Sequence, residues 1–369
     1  MLRKEPCVSK SFLKWGRAFC VVAMIIAGSI GPARSQEEDG LQVAVTLPDL
    51  VPVVVMLGGG KLDVVGIMPA GSDIQDFKLP PESTAKAQTA DLIVYANSDL
   101  FGFEAELKAS AGGISSVDWD DYARNGAKLK DFPGHDASSR GFWMGFDNIG
   151  SIAGAIAEAL MAQGVEAEMV AGNLSAFLGE IDAMEASGKA LMKAIGREGS
   201  MWAAVVPDVC YSISNLGLKV GDIMVEEAEG FPPGGKLQEM EAKLRSGEYA
   251  GLVCPLSMRE KTAGETAEQV ARAAGSSVCY IRFVDGGEDD SYVAQAAYNA
   301  GAFAAAGSNR LQAAGRAGGG SANLIWGLVV FGLLILLAVQ NRRMHALATG
   351  AALGAGPFQK KGKVKKGKR

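Results

Sequence analysis

Residues Met68 to Tyr95 read M-P-A-G-S-D-I-Q-D-F-K-L-P-P-E-S-T-A-K-A-Q-T-A-D-L-I-V-Y. The segment opens at the end of an apolar, β-branched run, Leu62–Met68, which suits a strand. A Pro- and Gly-containing turn follows, then a helical stretch over Pro81–Thr89, then a second apolar run over Leu92–Ala96. Strand, helix and strand in that order predict a parallel sheet covered by helices.

The same rhythm extends outward. In the first half, Leu41–Leu47 and Ile114–Trp119 are further strands, and Asp49–Leu57 is a helix ended by the glycines at 58–60. In the second half, strands are expected at Trp202–Val206, Val220–Val225, Gly251–Cys254 and Val278–Phe283. Helices are expected at Lys236–Arg245, Met258–Ala274 and Tyr292–Ala305. Between the halves lie two helical pieces, Asn148–Gln163 and Glu168–Ile195, separated at Gly164. The second would run ~40 Å at the helical rise. The expected fold class is therefore α/β, with two lobes of parallel sheet flanked by helices and joined by one long backbone helix. The lobes take residues 41–147 and 199–307, and the connecting helices take 148–198.

Both ends carry targeting patterns. Residues 1–35 hold Arg3, Lys4, Lys10, Lys14 and Arg17, then an apolar run, then Ala33-Arg34-Ser35, as a signal peptide does. Residues 308–322 are rich in Gly, Ala and Ser and suit a linker. Residues 323–340 are uncharged and apolar enough to span a membrane. Residues 341–369 hold nine Lys or Arg and no acidic residue, which predicts a cytoplasmic tail that also contacts anionic lipids. The body would then sit outside the cytoplasm, tethered by its C-terminus.

The intervening residues 36–340 hold 21 basic and 40 acidic residues, a net charge near −19. Such a surface repels nucleic acid. There are two histidines, His135 and His345, and five cysteines. Three of these, Cys210, Cys254 and Cys279, lie in the body, so at most one internal disulfide is possible. No nucleophile elbow, Walker A sequence or nucleophile–histidine pairing is present, and the chain is not expected to be an enzyme.

The 68–95 segment resembles the signature of the zinc- and manganese-uptake substrate-binding proteins of ABC importers. In that family a strand ends in P-x-G-x-D-P-H-[DE]-[FY], followed by a P-S helix and A-D-L-[IV]-[VF]-Y. Further matches are N-L-G-L-K-V at Asn215–Val220, Y-A-G-L-V-C-P-L, and E-Q-V-A-R-A-A-G before a strand. The resemblance implies metal capture between two lobes and delivery to an ABC permease.

It also implies four ligand positions. The first histidine falls on Gln75. The second, from P-H-x-W, falls on Gly141, with Trp143 retained. The third falls on Val206. The carboxylate falls on Arg282, or on Asp285 with a short slip. Gln is a poor metal ligand, Gly and Val supply none, and Arg is a cation. The expectation is a rewritten metal site, closed or filled by protein groups, with Arg282 supplying the positive charge. No cofactor is singled out, but other ions stay open. Asp73, Asp76, Asp208 and Asp285 could take a hard cation, although Asp73 and Asp208 could equally be caps. Cys210 and Cys254, with Met144 or Met258, could hold Cu(I), or be buried as small apolar residues. Trp143 with Phe142 and Phe146 could wall a cleft or belong to the core. The alternative function is a scaffold or accessory subunit of a membrane complex.

Overall fold

The computed structural model describes residues 40–138, 140–225, 234–287 and 290–315, with side chains to Ser308. The expected signal peptide, membrane span and basic tail lie outside these residues. Among the described residues, no helix is long and apolar enough to cross a membrane.

In the first lobe, β1 (Leu41–Val45) and β2 (Leu62–Gly66) flank α1 (Val51–Gly58). Next come α2 (Pro81–Gln88), β3 (Leu92–Val94), α3 (Gly102–Ser110), β4 (Ser115–Val117) and α4 (Trp119–Arg124). The sheet is parallel, in the order β2-β1-β3-β4. Its central strand β3 and the second half of β1 are buried, so they read as continuous apolar runs rather than alternating ones, while the edge strands β2 and β4 keep exposed residues. Val43 and Val45 face the main core, whereas Ala44 joins Ile67, Ile93, Tyr95 and Leu107 in a smaller cluster on the other face.

A short antiparallel hairpin, β5 (Lys130–Phe132) and β6 (His135–Ser138), leads to a 3₁₀ turn over Phe142–Met144. Helix α5 (Phe146–Ala162) follows, then α6 (Ala167–Ala194), 28 residues long. The buried residues of α6 include Val170, Phe177, Ile181 and Met192, which form one stripe along it. At one end Asn173 Nδ2 donates to the Leu57 carbonyl of α1 (3.1 Å). Farther along, Phe177 meets Tyr292 of the second lobe edge-on. The helix therefore runs across both lobes, as expected.

The second lobe repeats the first. Strands β7 (Met201–Ala204), β8 (Lys219–Ile223), β9 (Tyr249–Pro255) and β10 (Val278–Ile281) form a parallel sheet ordered β8-β7-β9-β10. Counted within its own lobe this is again second-first-third-fourth. Helices α7 (Cys210–Asn215), α8 (Gly234–Ser246), α9 (Thr262–Ala273) and α10 (Tyr292–Gly315) cover it.

Two expectations need correction. Helix α10 continues to Gly315, so the chain does not become a linker at 308; its Ala-rich run extends the helix instead. Trp119 does not end a strand but starts α4. Asp118 accepts from the Trp119 backbone and forms a reciprocal capping box with Asp121.

Candidate ligand cleft

The carboxyl ends of both sheets face one another, and between them lies a cavity of about 120 Å³. Ser72, Asp73, Gln75 and Asp76 line it from the first lobe; Asp208, Ser257, Met258 and Lys261 line it from the second, and Arg140 also contributes. In parallel α/β lobes this is where ligands bind.

Each expected ligand position can be followed into this frame. Gln75 and Asp76 are exposed at the cavity wall. Asp73 accepts from the Gln75 backbone N–H (3.1 Å), as a turn cap does, and also pairs with Lys261 across the cleft at 2.9 Å. Gly141 adopts a left-handed backbone, φ +71°. A Cβ built there would lie 2.0 Å from the Asp208 carbonyl oxygen, so no side chain fits. Val206 is fully buried in the core. Trp143 is also fully buried: it stacks on Phe283 (5.5 Å), meets Phe142 and Phe101 edge-on, and belongs to the core rather than an open wall.

Arg282 is the clearest correction. Its backbone N–H and carbonyl are held by Asn299, and its guanidinium turns to Asp285 (2.7 Å) and Asp290 (2.8 Å). Two carboxylates within eight residues capture it locally, outside the cavity lining. The cations at the cavity are Arg140 and Lys261. Arg140 Nε lies 3.2 Å from Asp208 Oδ2. Asp208 is buried; burial raises its carboxyl above the ordinary range, and the Arg140 guanidinium offsets only part of that rise. The 3₁₀ turn over Pro207–Val209 receives no side-chain cap from it.

Cys210, Cys254 and Cys279 are free and buried, so no disulfide joins any two of them and they pack as small apolar residues. Burial pushes the Cys254 thiol up to about 12, far from the thiolate a soft metal needs. Among the described residues, no three His, Cys, Asp or Glu side chains stand close enough to hold a metal ion. Among the described residues that line the cavity, the carboxylates are Asp73, Asp76 and Asp208, and there is no histidine or cysteine.

The central group of the inter-lobe contact is one that sequence reasoning missed. Asp49, fully buried in the turn after β1, accepts from the backbone N–H groups of Val284 (2.8 Å), Asp285 (3.0 Å) and Gly286 (3.2 Å). It also accepts from Gln295 Nε2 (2.9 Å) and Trp143 Nε1 (2.9 Å). The signal was available: Leu47-Pro48-Asp49-Leu50 after the first strand of one lobe is matched by Val206-Pro207-Asp208-Val209 after the first strand of the other.

A third buried carboxylate, Glu104 on α3, sits at the ends of β1 and β3. It takes bonds from the Ala96 (2.9 Å) and Asn97 (2.8 Å) backbones and touches the Thr46 hydroxyl. Burial pushes it up to about 7 despite those bonds.

Two parallel lobes, a spanning helix and a cleft at the strand ends define a two-lobed solute-binding protein. The family model for ZnuA, the zinc-uptake complex component A periplasmic, matches residues 43–306, and the chain belongs to this family. The manganese ABC transporter substrate-binding lipoprotein PsaA of Streptococcus pneumoniae is 23% identical over 291 residues, covering 74% of this chain and 91% of that protein. Among solved structures, FpvC from Pseudomonas aeruginosa in complex with Mn²⁺ aligns with TM-score 0.61 and 17% identity, over 73% of this chain and 99% of that one. The periplasmic zinc-binding protein TroA from Treponema pallidum also aligns at 0.61, with 15% identity and the same shares.

Proposed function

We propose that this chain is a membrane-anchored, extracytoplasmic solute-binding protein of the metal ABC-transporter type whose cleft does not take zinc or manganese tightly. The observation that carries this is Gly141. The position the family resemblance gives to a histidine has no room for any side chain, because the Asp208 backbone already occupies it. Gln75 and Val206 supply no imidazole, thiolate or carboxylate, and Arg282 is engaged elsewhere. Lys261 and Arg140 pair with Asp73 and Asp208, two of the three carboxylates that line the cavity, which lowers the negative charge it offers a dication.

An ABC permease is the partner that family membership supports. A second reading, a scaffold or accessory subunit of a membrane complex, would rest on the direct bonds between the lobes alone and is not favoured by family membership. Co-purification with a permease and its ATPase supports the first; stable co-purification with a complex lacking an ATPase supports the second.

The test is metal binding to the full chain, by calorimetry and by metal content after exhaustive dialysis. A ligand bound only by the folded state would add ~2.7 kcal/mol at a hundredfold excess over Kd, so zinc or manganese should barely move the melting temperature. Nanomolar zinc binding lost in Asp76→Ala would overturn the reading.

A further inference from the structure

The two Pro-Asp turns are used reciprocally. Each follows the first strand of its lobe, forms a 3₁₀ turn (Pro48–Leu50 and Pro207–Val209), and runs straight into a helix. Each presents its backbone to a glycine from across the cleft. Pro48 O lies 2.7 Å from where a Gly286 Cβ would sit, as Asp208 O lies 2.0 Å from that of Gly141. Each turn also sends a buried carboxylate over the boundary, Asp49 to the N–H groups of residues 284–286 and Asp208 to Arg140.

The backbone that receives Asp49 is itself strained. Val284 has φ +54°, a left-handed conformation that a β-branched residue avoids. Such conformations persist where neighbours over-determine them. Here they do: Val284 N–H is bound to Asp49, and its carbonyl accepts from Gly71 N–H (2.7 Å), a direct backbone bond between the lobes. With Val284 turned this way, three successive N–H groups converge on one carboxylate, an anion-binding nest filled by the protein itself.

We infer that this protein carries a reciprocal latch, in which Asp49 and Asp208 each bind the opposite side of the cleft and hold the lobes together with no ligand between them. A bridging dication is replaced by an internal anion seated in a nest of backbone donors. This deepens the proposed function and rests on its claim that no metal bridges the lobes.

Hydrogen exchange of the metal-free full chain, followed by mass spectrometry, tests the latch. The N–H groups of Gly71, Val284, Asp285 and Gly286 report on the cleft, because their acceptors lie across it. Ile67 and Val205, bonded within single lobes to Val45 and Val253, report on the folds themselves. In the parent the cleft amides should be as protected as the lobe amides. In Asp49→Asn they should exchange roughly tenfold faster or more, with Ile67 and Val205 unchanged, as in a local opening. Should Asn disturb the whole fold, Gly286→Ala acts as a wedge from the other side and should give the same selective loss. Cleft amides that exchange freely in the metal-free parent, or that stay protected in both variants, would overturn the latch. A parallel run with zinc keeps the two claims apart: protection that needs zinc overturns both, whereas zinc binding on top of full metal-free protection overturns only the metal reading.

Discussion

Leu47-Pro48-Asp49-Leu50 and Val206-Pro207-Asp208-Val209 occupy the same place in two sheets of the same strand order, yet their carboxylates are satisfied differently. Asp49 is surrounded by five neutral donors, three of them backbone. Asp208 faces one guanidinium. Backbone donors are fixed by the fold and lose no side-chain entropy on pairing, whereas an arginine must be held in place. The Asp49 carboxylate is therefore the more rigidly held of the two, while Tyr211 and Asn215, just after the second turn, add hydrogen bonds to Lys130, Ser138, Met144 and Phe146 beside the Arg140–Asp208 pair. The glycines opposite them differ in the reverse sense. Gly141 is pressed harder by the Asp208 turn than Gly286 is by the Asp49 turn.

That difference predicts the largest effect. In Gly141→Ala the methyl group meets backbone, which cannot swing away, and the left-handed φ adds strain. We expect a loss of about 3 kcal/mol or more in chemical denaturation. Gly71 has nearly the same φ, +75°, but open space around its Cβ position. Gly71→Ala should therefore cost only the conformational part, about 1–2 kcal/mol. Equal losses in the two variants would mean that contact with the Asp208 turn contributes nothing.

A buried carboxylate also separates the lobes in their response to pH. Glu104 in the first lobe is raised from 4.5 to about 7 by burial. Thr46 Oγ1 is 3.1 Å from the Val94 carbonyl as well as in contact with Glu104. A hydroxyl has one proton to donate, so when it goes to Val94 the glutamic acid must be the donor to Thr46. The folded state therefore favours the neutral acid. The sign follows: the contribution is complete below the ordinary value and is lost as pH rises through about 7. At ~1.4 kcal/mol per unit this amounts to roughly 3 kcal/mol between pH 4 and 8. Glu104→Gln should remove that part of the pH dependence of the urea midpoint. A parent and variant whose midpoints stay parallel over this range would mean that Glu104 is ionised in the fold at acidic pH.

The long elements of both lobes were legible in the sequence because buried parallel strands and a 28-residue helix carry strong apolar patterns. The short helices α3, α4 and α7, of nine, six and six residues, were not. Helices of that length owe their stability to packing rather than to their own propensity. Asp118 and Asp121 did offer a capping-box signal for α4. In the cleft, the positions of Gln75, Gly141 and Val206 followed from the family resemblance, but their partners did not. Arg282 was expected to face the cleft carboxylates, yet Asp285 and Asp290 lie nearer along the chain and take it. The cations that do reach the cavity, Arg140 and Lys261, come from segments with no distinctive pattern. The repeated Pro-Asp turn was visible, but its meaning depended on which surface stood opposite each copy.

The smallest effect should come from the rim. Lys261 pairs with Asp73 across the cleft at 2.9 Å, but its side chain is 32% exposed, whereas Asp49 is fully buried. A partly exposed pair is screened by water and salt, and ordering a lysine side chain offsets part of the gain. Lys261→Met keeps most of the apolar stem packed near Met258 and Phe283 while removing the charge. We expect it to cost about 0.5–1 kcal/mol at low salt and less at high salt. The exchange rates of the Val284 and Gly286 amides should not change, because their acceptor is Asp49 and not the rim pair. If Lys261→Met instead released those amides, the lobes would be held from the rim inward, and the centre would close only as a consequence. The comparison between the two Pro-Asp turns would then lose its energetic meaning, since neither would be what keeps the lobes together.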